Sequence, residues 1–347
     1  MSYIKPRRSA VEAAFEMMRI YHPRIPEVHD KLDEAREFGR LVPNRPKRYI
    51  EFFAPTHSGK STAITTYIED KVVPEAIERG LFPADMDREE IARQQRIVLH
   101  VTLSPNASKR SLAVDILTQL GDPRADSGSG PVLMRRVYEY LSGTFKDPVT
   151  GQPFGRQTEL VILDELQHLA TSEVKQGKRE KSNIIRSTEV SDTLKTMLIR
   201  GLVPMVFVGI PAARDHITID RQLTNREMGK IDFSPLKWSS AKDQEIFLEY
   251  CIEASALLQE HELLPEETKL IENDIPHRLW AASGGCLGIV SRILEQAVFH
   301  ALDRDGTRVE YDDLALAVDT RAIPNNMCTY NPFREGVAGG TVNGQAA

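Results

Sequence analysis

Residues 54–62, Ala54-Pro55-Thr56-His57-Ser58-Gly59-Lys60-Ser61-Thr62, have the types and spacing needed to hold a phosphate. They follow the pattern GxxxxGK[ST], with alanine in place of its first glycine. In such a loop backbone N–H groups surround the anion, and the N-terminal dipole of the next helix adds to them. Gly59 permits close approach, Lys60 reaches the β and γ oxygens, and the Ser61 hydroxyl ligates Mg²⁺. Alanine at 54 is tolerable because that position does not require a positive φ.

A second pair completes the chemistry. Four apolar residues, Leu160 to Leu163, end in Asp164 and Glu165. An apolar run of this kind predicts a strand covered on both faces, which delivers its acids to the carboxyl edge of a sheet. There Asp164 holds the metal and Glu165 polarises the water that attacks the γ-phosphate. The site so read takes ATP and Mg²⁺, with Lys60 and Glu165 as the catalytic pair. Gln167 and His168 follow directly. A histidine there either touches the site or is merely packed or solvated on the first turn beyond it.

The elements that must position these residues alternate. Strands are expected at residues 49–53, 97–101, 160–163, 205–208 and 231–233, with helices between them, including 111–120 and one after the loop that stops before Pro74. Strands separated by helices imply parallel βαβ units with right-handed crossovers. The fold class is therefore α/β, a P-loop NTPase sheet flanked by helices. Residues 1–46 read as a helical extension with helices near 10–21 and 26–38, 47–237 as the nucleotide-binding core, and 238–320 as a small C-terminal helical lid. In the lid Asp312 is a candidate cap for a helix over 314–318. Residues 321–347, Gly- and Asn-rich from Pro324, are expected to be a disordered tail.

Composition removes several classes. The 347 residues are 41% hydrophobic and 27% charged, ordinary for a globular protein. No apolar run approaches the roughly 20 residues of a membrane span, and no apolar core follows the basic N-terminus. A cytoplasmic location with no membrane role is expected. Cys251, Cys286 and Cys328 are too scattered for a zinc site or a disulfide framework. The net charge of −6 gives no global signature for nucleic acid, so any DNA contact depends on local placement.

Several blocks together resemble the AAA+ ATPases of the TniB/TnsC type, regulators of DNA transposition. They are Tyr21-His22-Pro23-Arg24-Ile25-Pro26 with residues 32–35, residues 103–108 with 115–121, residues 164–168 with 193–195, residues 206–212, residues 263–265, and Ser283-Gly284-Gly285 with 288–290 and Ala297. The resemblance spans nearly all of residues 20–320. It implies an AAA+ fold and an ATPase whose ATP-bound subunits assemble on double-stranded DNA without sequence preference, as a ring or helical filament. Such homo-oligomers recruit and activate a transposase, often with a target-selection protein, and hydrolysis drives turnover.

An ATP site between subunits needs an arginine supplied in trans. Arg226 matches the family position best, with Arg221 second. The chain departs from the AAA+ pattern twice. Val208-Gly209-Ile210 replaces a polar sensor, which implies slow hydrolysis, and Gly285-Cys286-Leu287-Gly288-Ile289 carries no second-sensor arginine, leaving Arg292 one turn on as either a substitute or a solvated helix residue. Lys175, Lys178, Arg179 and Lys181 lie in a connection longer than the fold requires, in the region that faces the channel of ring ATPases; Lys109 and Arg110 form a second candidate contact. No aromatics interleave these bases, so the expected contact is with duplex phosphates. The competing reading is an AAA+ or STAND-type switch that acts on proteins without DNA. A small-molecule P-loop kinase fits less well, because it leaves the helical lid and the Asp-Glu pair unexplained.

Overall fold

The computed structural model describes residues 3–105, 107–146, 151, 155, 157–169, 179–218 and 221–337, and for 179–188, 216, 218 and 221 the backbone alone. Along the chain come α1 (Arg8–Met17), α2 (Arg24–Leu41), β1 (Tyr49–Phe53), α3 (Lys60–Tyr67), α4 (Val73–Glu78), α5 (Arg88–Gln94), β2 (Val98–Thr102), α6 (Lys109–Gln119) and α7 (Gly130–Ser142). Next are β3 (Leu160–Asp164), α8 (Arg179–Ile199), β4 (Met205–Gly209), the short α9 (Asp215–Thr218) and α10 (Arg221–Thr224), and β5 (Glu227–Lys230). The chain ends in α11 (Ala241–Glu260), α12 (Ile275–Ser283), α13 (Leu287–Asp303), α14 (Tyr311–Ala317) and α15 (Pro332–Glu335).

Two compact units result. One holds Pro26–Pro55 and Lys60–Phe233; the other holds Met1–Ile25, Thr56–Gly59 and Ser234–Ala347. This grouping cuts the expected extension of residues 1–46 at Ile25. The cause is α1, whose Val11 and Phe15 are buried in the same apolar cluster as α11, α13 and α14.

The first unit is built on a five-stranded sheet of order β2-β3-β4-β1-β5, and every pairing is parallel. Leu160 to Leu163 are fully buried, as a central strand with both faces covered requires. Helices α6, α7 and α8 cover one face through Leu112, Ile116, Leu133, Val137, Leu194 and Met197. The sheet ends at Glu227–Lys230, not at residues 231–233. Tyr49 N–H donates to Arg226 O and Ile231 N–H to Glu51 O, so the ladder overlaps the expected strand only at Ile231; Phe233 instead packs edge-on against Phe52 at 5.2 Å.

The helix after the phosphate loop does not stop before Pro74. A π-helical turn over Ile68–Val72 joins α3 to α4, and Pro74 sits in the first turn of α4, where its missing N–H breaks no helical bond.

The second unit is helical. Helix α14 is capped by Glu310, with Asp313 reaching back to the Glu310 N–H, in place of the expected Asp312. The tail is folded as far as residue 337. Asn331 is buried and donates to Ala315 O at 2.8 Å and Asp319 Oδ1 at 2.6 Å, and Phe333 is buried in the helical core. Two well-placed residues suffice here where composition predicted none. Residues 338–347 lie outside the described residues. Among the described residues no helix is long and apolar enough to cross a membrane.

Candidate functional site

In the sheet unit, β1 runs into Ala54, whose N–H donates to Gly209 O at 3.1 Å. Ala54 is absent from the positive-φ positions; the loop turns instead at His57 (φ 59°) and Gly59 (φ 93°). Alanine in place of glycine therefore costs nothing at 54, while Gly59 occupies the left-handed region that favours glycine. The Lys60 ammonium donates to Ala54 O and Pro55 O, each at 2.8 Å, which holds it over the loop it must serve.

Ser61, exposed in the first turn of α3, brings Oγ to 3.4 Å from Asp164 Oδ2. Asp164 is buried at the tip of β3. Burial alone pushes its pKa up, yet the His100 ring, the Glu165 N–H and the Lys60 charge together hold it below the ordinary carboxylate value. His100 Nε2 lies 3.1 Å from Asp164 Oδ2, and the Glu165 N–H donates to Oδ1 at 2.8 Å. Asp164 thus stays ionised where a cation is needed. Among the described residues no group of three or more His, Cys, Asp or Glu side chains converges to hold a metal. One hydroxyl and one carboxylate suit Mg²⁺, which keeps most of its shell for water and phosphate oxygens.

Glu165 has φ 60°, an uncommon conformation for a side chain of its size. Its carboxylate accepts from Gln167 Nε2 and lies 3.8 Å from His168 Nε2. His168 Nδ1 is 2.7 Å from Leu103 O, so Nδ1 carries the proton and the ring joins β3 to the segment after β2. The ring is thus fixed on Leu103 O by one nitrogen while the other faces the Glu165 carboxylate. At the end of β4, Gln167 Oε1 accepts from Ile210 N–H at 3.3 Å.

Residues Thr56–Gly59 cluster with the helical unit. Ser58 is buried and its Oγ has no hydrogen-bond partner among the described residues. Gly288 N–H donates to His57 O at 2.9 Å, and a Cβ at 288 would meet that oxygen at 2.4 Å. Backbone therefore occupies this stretch of the lid, which lacks the second-sensor arginine. The Arg292 guanidinium, one turn along, pairs with Glu16 at 2.9 Å and Glu295 at 3.1 Å.

The more distant candidates separate. Arg226 precedes β5, and its carbonyl pairs with Tyr49, the first residue of β1. That is a whole strand length, about 13 Å at 3.3 Å per residue, from the end that feeds the phosphate loop. Arg221 begins α10. Lys109 and Arg110 start α6 behind the Ser108 cap, not in a loop before it. Arg110 donates to Asp126 O at 2.7 Å, and Lys109 lines a groove of about 620 Å³ with Arg135, Arg200, Glu189 and Asp192. Arg179 and Lys181 lie in the first turn of α8, so the expected long loop is helical from 179. Lys175 and Lys178 lie outside the described residues.

His100 was not singled out in the sequence. The signal was a lone histidine inside the apolar run Val98-Leu99-His100-Val101, paired in register with Ile162 two residues before Asp164.

The AAA domain family matches residues 44–217. No curated protein matches the sequence. Among solved structures, the Aeropyrum pernix ORC1 protein in complex with DNA aligns over 91% of this chain and 70% of its own, at 13% identity and a TM-score of 0.56. The Aeropyrum pernix ORC2 protein with ADPNP and ADP aligns over 83% and 67%, at 15% identity and a TM-score of 0.50. At such identities the likeness concerns the fold.

Proposed function

The chain belongs to the AAA domain family, and on that footing we propose that it is an ATPase of the TniB/TnsC type, an ATP-dependent DNA-binding regulator of transposition. The observation that supports the ATPase part is the convergence of Lys60, Ser61, Asp164 and Glu165 at one edge of the sheet. Lys60 balances the β and γ oxygens, and backbone amides of residues 56–60 orient them. Magnesium, when bound, is held by Ser61 Oγ and Asp164 and neutralises charge on the phosphate oxygens. Glu165 accepts the proton of the attacking water. Arg226 acts on a neighbouring copy, as its place at the far end of β1 suits it to no reaction in its own chain.

DNA binding draws its support from the sequence blocks described above and from a structural neighbour whose own structure is a complex with DNA. Assembly on duplex DNA, recruitment of a transposase and a target-selection protein, and turnover on hydrolysis follow from the same resemblance. Lys109, and the basic first turn of α8 with the lysines before it, are the proposed phosphate contacts. The reading as a switch acting on proteins gains from Arg110, whose guanidinium is tied to Asp126 O.

One experiment separates the two. Full-length protein and its Lys60→Ala variant are incubated with duplex DNA and a slowly hydrolysed ATP analogue, then examined by electron microscopy at low and moderate salt. The proposal requires ordered oligomers on DNA for the parent only, lost as salt rises. Nucleotide-loaded parent that ignores DNA at low salt rejects the DNA role; equal analogue binding by Lys60→Ala rejects the nucleotide site.

A further inference from the structure

Nothing polar projects from the end of β4. Gly209 has no side chain and Ile210 is apolar, so no β4 side chain fixes the direction of the half-buried Glu165 carboxylate proposed to activate water. Some other group must hold it. Gln167 touches both places. Its Nε2 donates to Glu165 Oε2, and its Oε1 accepts from Ile210 N–H at 3.3 Å. The orientation of the amide is settled by its partners, since a carboxylate only accepts and a backbone N–H only donates.

Gly209 is what makes the arrangement fit. A Cβ there would stand 3.0 Å from Gln167 Oε1 and 3.3 Å from Leu166 Cβ. A side chain on β4 at this position would press on Gln167 Oε1, and one of the two would have to give way by a few tenths of an ångström. The bare end of β4 and the amide reaching across from β3 thus meet at one point.

We propose that Gln167 is the positioning residue for Glu165, supplying from the turn after β3 the link to β4 that a polar side chain on β4 would otherwise make. The inference rests on Glu165 being the group that activates water. Gln167 touches no reacting atom in this role. It fixes where the Glu165 carboxylate points and ties that direction to the backbone of Ile210, so a shift of the β4 tip moves the carboxylate with it.

The test uses the full chain, with and without duplex DNA. It compares kcat, KM and the Kd of a fluorescent ATP analogue for the parent, Glu165→Gln, Gln167→Leu and Gln167→Glu. Gln167→Leu keeps the volume and loses both hydrogen bonds; Gln167→Glu faces one carboxylate with another. The expected result is a kcat lowered at least about tenfold in both Gln167 variants, with analogue Kd and KM within about twofold of the parent. Should Gln167→Leu fail to fold, Gln167→Glu decides by the same numbers. If Glu165→Gln is inactive while the Gln167 variants turn over like the parent, the inference is wrong and the assignment of Glu165 stands. Loss of analogue binding in step with kcat also overturns it, since that marks Gln167 as structural only. If the parent does not hydrolyse ATP, or Glu165→Gln hydrolyses it as fast, the reading of the site fails and the inference falls with it.

Discussion

Ser61 Oγ and Asp164 Oδ2 lie 3.4 Å apart although 103 residues separate them in the chain. The hydroxyl is carried on the first turn of α3 and the carboxylate on the last residue of β3, with β4 between β3 and β1 in the sheet. Each element has its own reason to end there, and their coincidence leaves two hard oxygen donors facing one point.

This pair makes the metal dependence predictable. For the parent, adding Mg²⁺ to an EDTA-treated sample should tighten binding of a fluorescent ATP analogue by about tenfold or more. In Asp164→Asn the gain should shrink to about twofold, while binding in EDTA stays as in the parent. An unchanged magnesium gain in the variant would remove Asp164 from the metal site.

A second prediction concerns stability. Arg36 is 3% exposed and reaches Glu159 at 2.8 Å, Glu75 at 2.5 Å and the Tyr67 hydroxyl at 3.0 Å. Glu159 also receives Arg40 at 2.8 Å and Arg79 at 2.7 Å. Replacing Arg36 by methionine leaves carboxylates half-buried without their central partner. A loss of roughly 3–5 kcal/mol in denaturant titration is expected, against under about 1 kcal/mol for the exposed pair Arg135–Glu139. Equal effects at the two sites would show the Arg36 cluster to be ordinary surface chemistry.

Acid sensitivity follows from His22. Burial, helped by the Arg24 charge, pushes its pKa down to about 4 from 6.5. Above pH 6.5 the ring is neutral in folded and unfolded chains and adds nothing. Between 6.5 and about 4 the unfolded chain binds the proton and the folded one does not, so stability falls as pH falls. The fall from this residue is about 3 kcal/mol at 1.36 kcal/mol per pH unit. His22→Gln should lose that part of the slope when denaturation midpoints are compared from pH 7 to 4. The same slope in parent and variant would assign the acid sensitivity elsewhere.

These sites were legible in the sequence to different depths. The phosphate loop and the Asp164–Glu165 pair could be read because covalent order alone places them, each at the end of a strong apolar strand. His100 and Gln167 could not, since their roles depend on which strands are neighbours, and β2 and β4 flank β3 only in the folded sheet. β5 was misplaced because Glu227-Met228-Gly229-Lys230 carries no apolar run. An edge strand pairs through backbone on one side and needs none. Pro74 misled for a related reason, as a π-helical turn removes the conflict that normally ends a helix. The lid block 285–289 was read only as lacking an arginine, and the close approach of His57 O shows what its Gly288 requires.

Arg226 offers the sharpest test of assembly. Its carbonyl is bonded to the first residue of β1. The phosphate loop starts after the last residue of that strand, so no ordinary side-chain motion brings Arg226 to its own nucleotide. Its Nε is buried with no hydrogen-bond partner among the described residues. Arg226→Ala and Glu165→Gln should each lower ATP hydrolysis by about 10³-fold or more, for different reasons: one keeps an intact site and lacks the arginine, the other binds ATP without hydrolysing it and keeps the arginine. Mixed at equal concentration on duplex DNA, they create interfaces in which an intact site meets an intact arginine. Hydrolysis should then return to a sizeable fraction of the parent rate, and it should fall on dilution as the assembly dissociates. A mixture no more active than its components would exclude Arg226 as the group supplied in trans, and undiminished hydrolysis by Arg226→Ala alone would do so more directly.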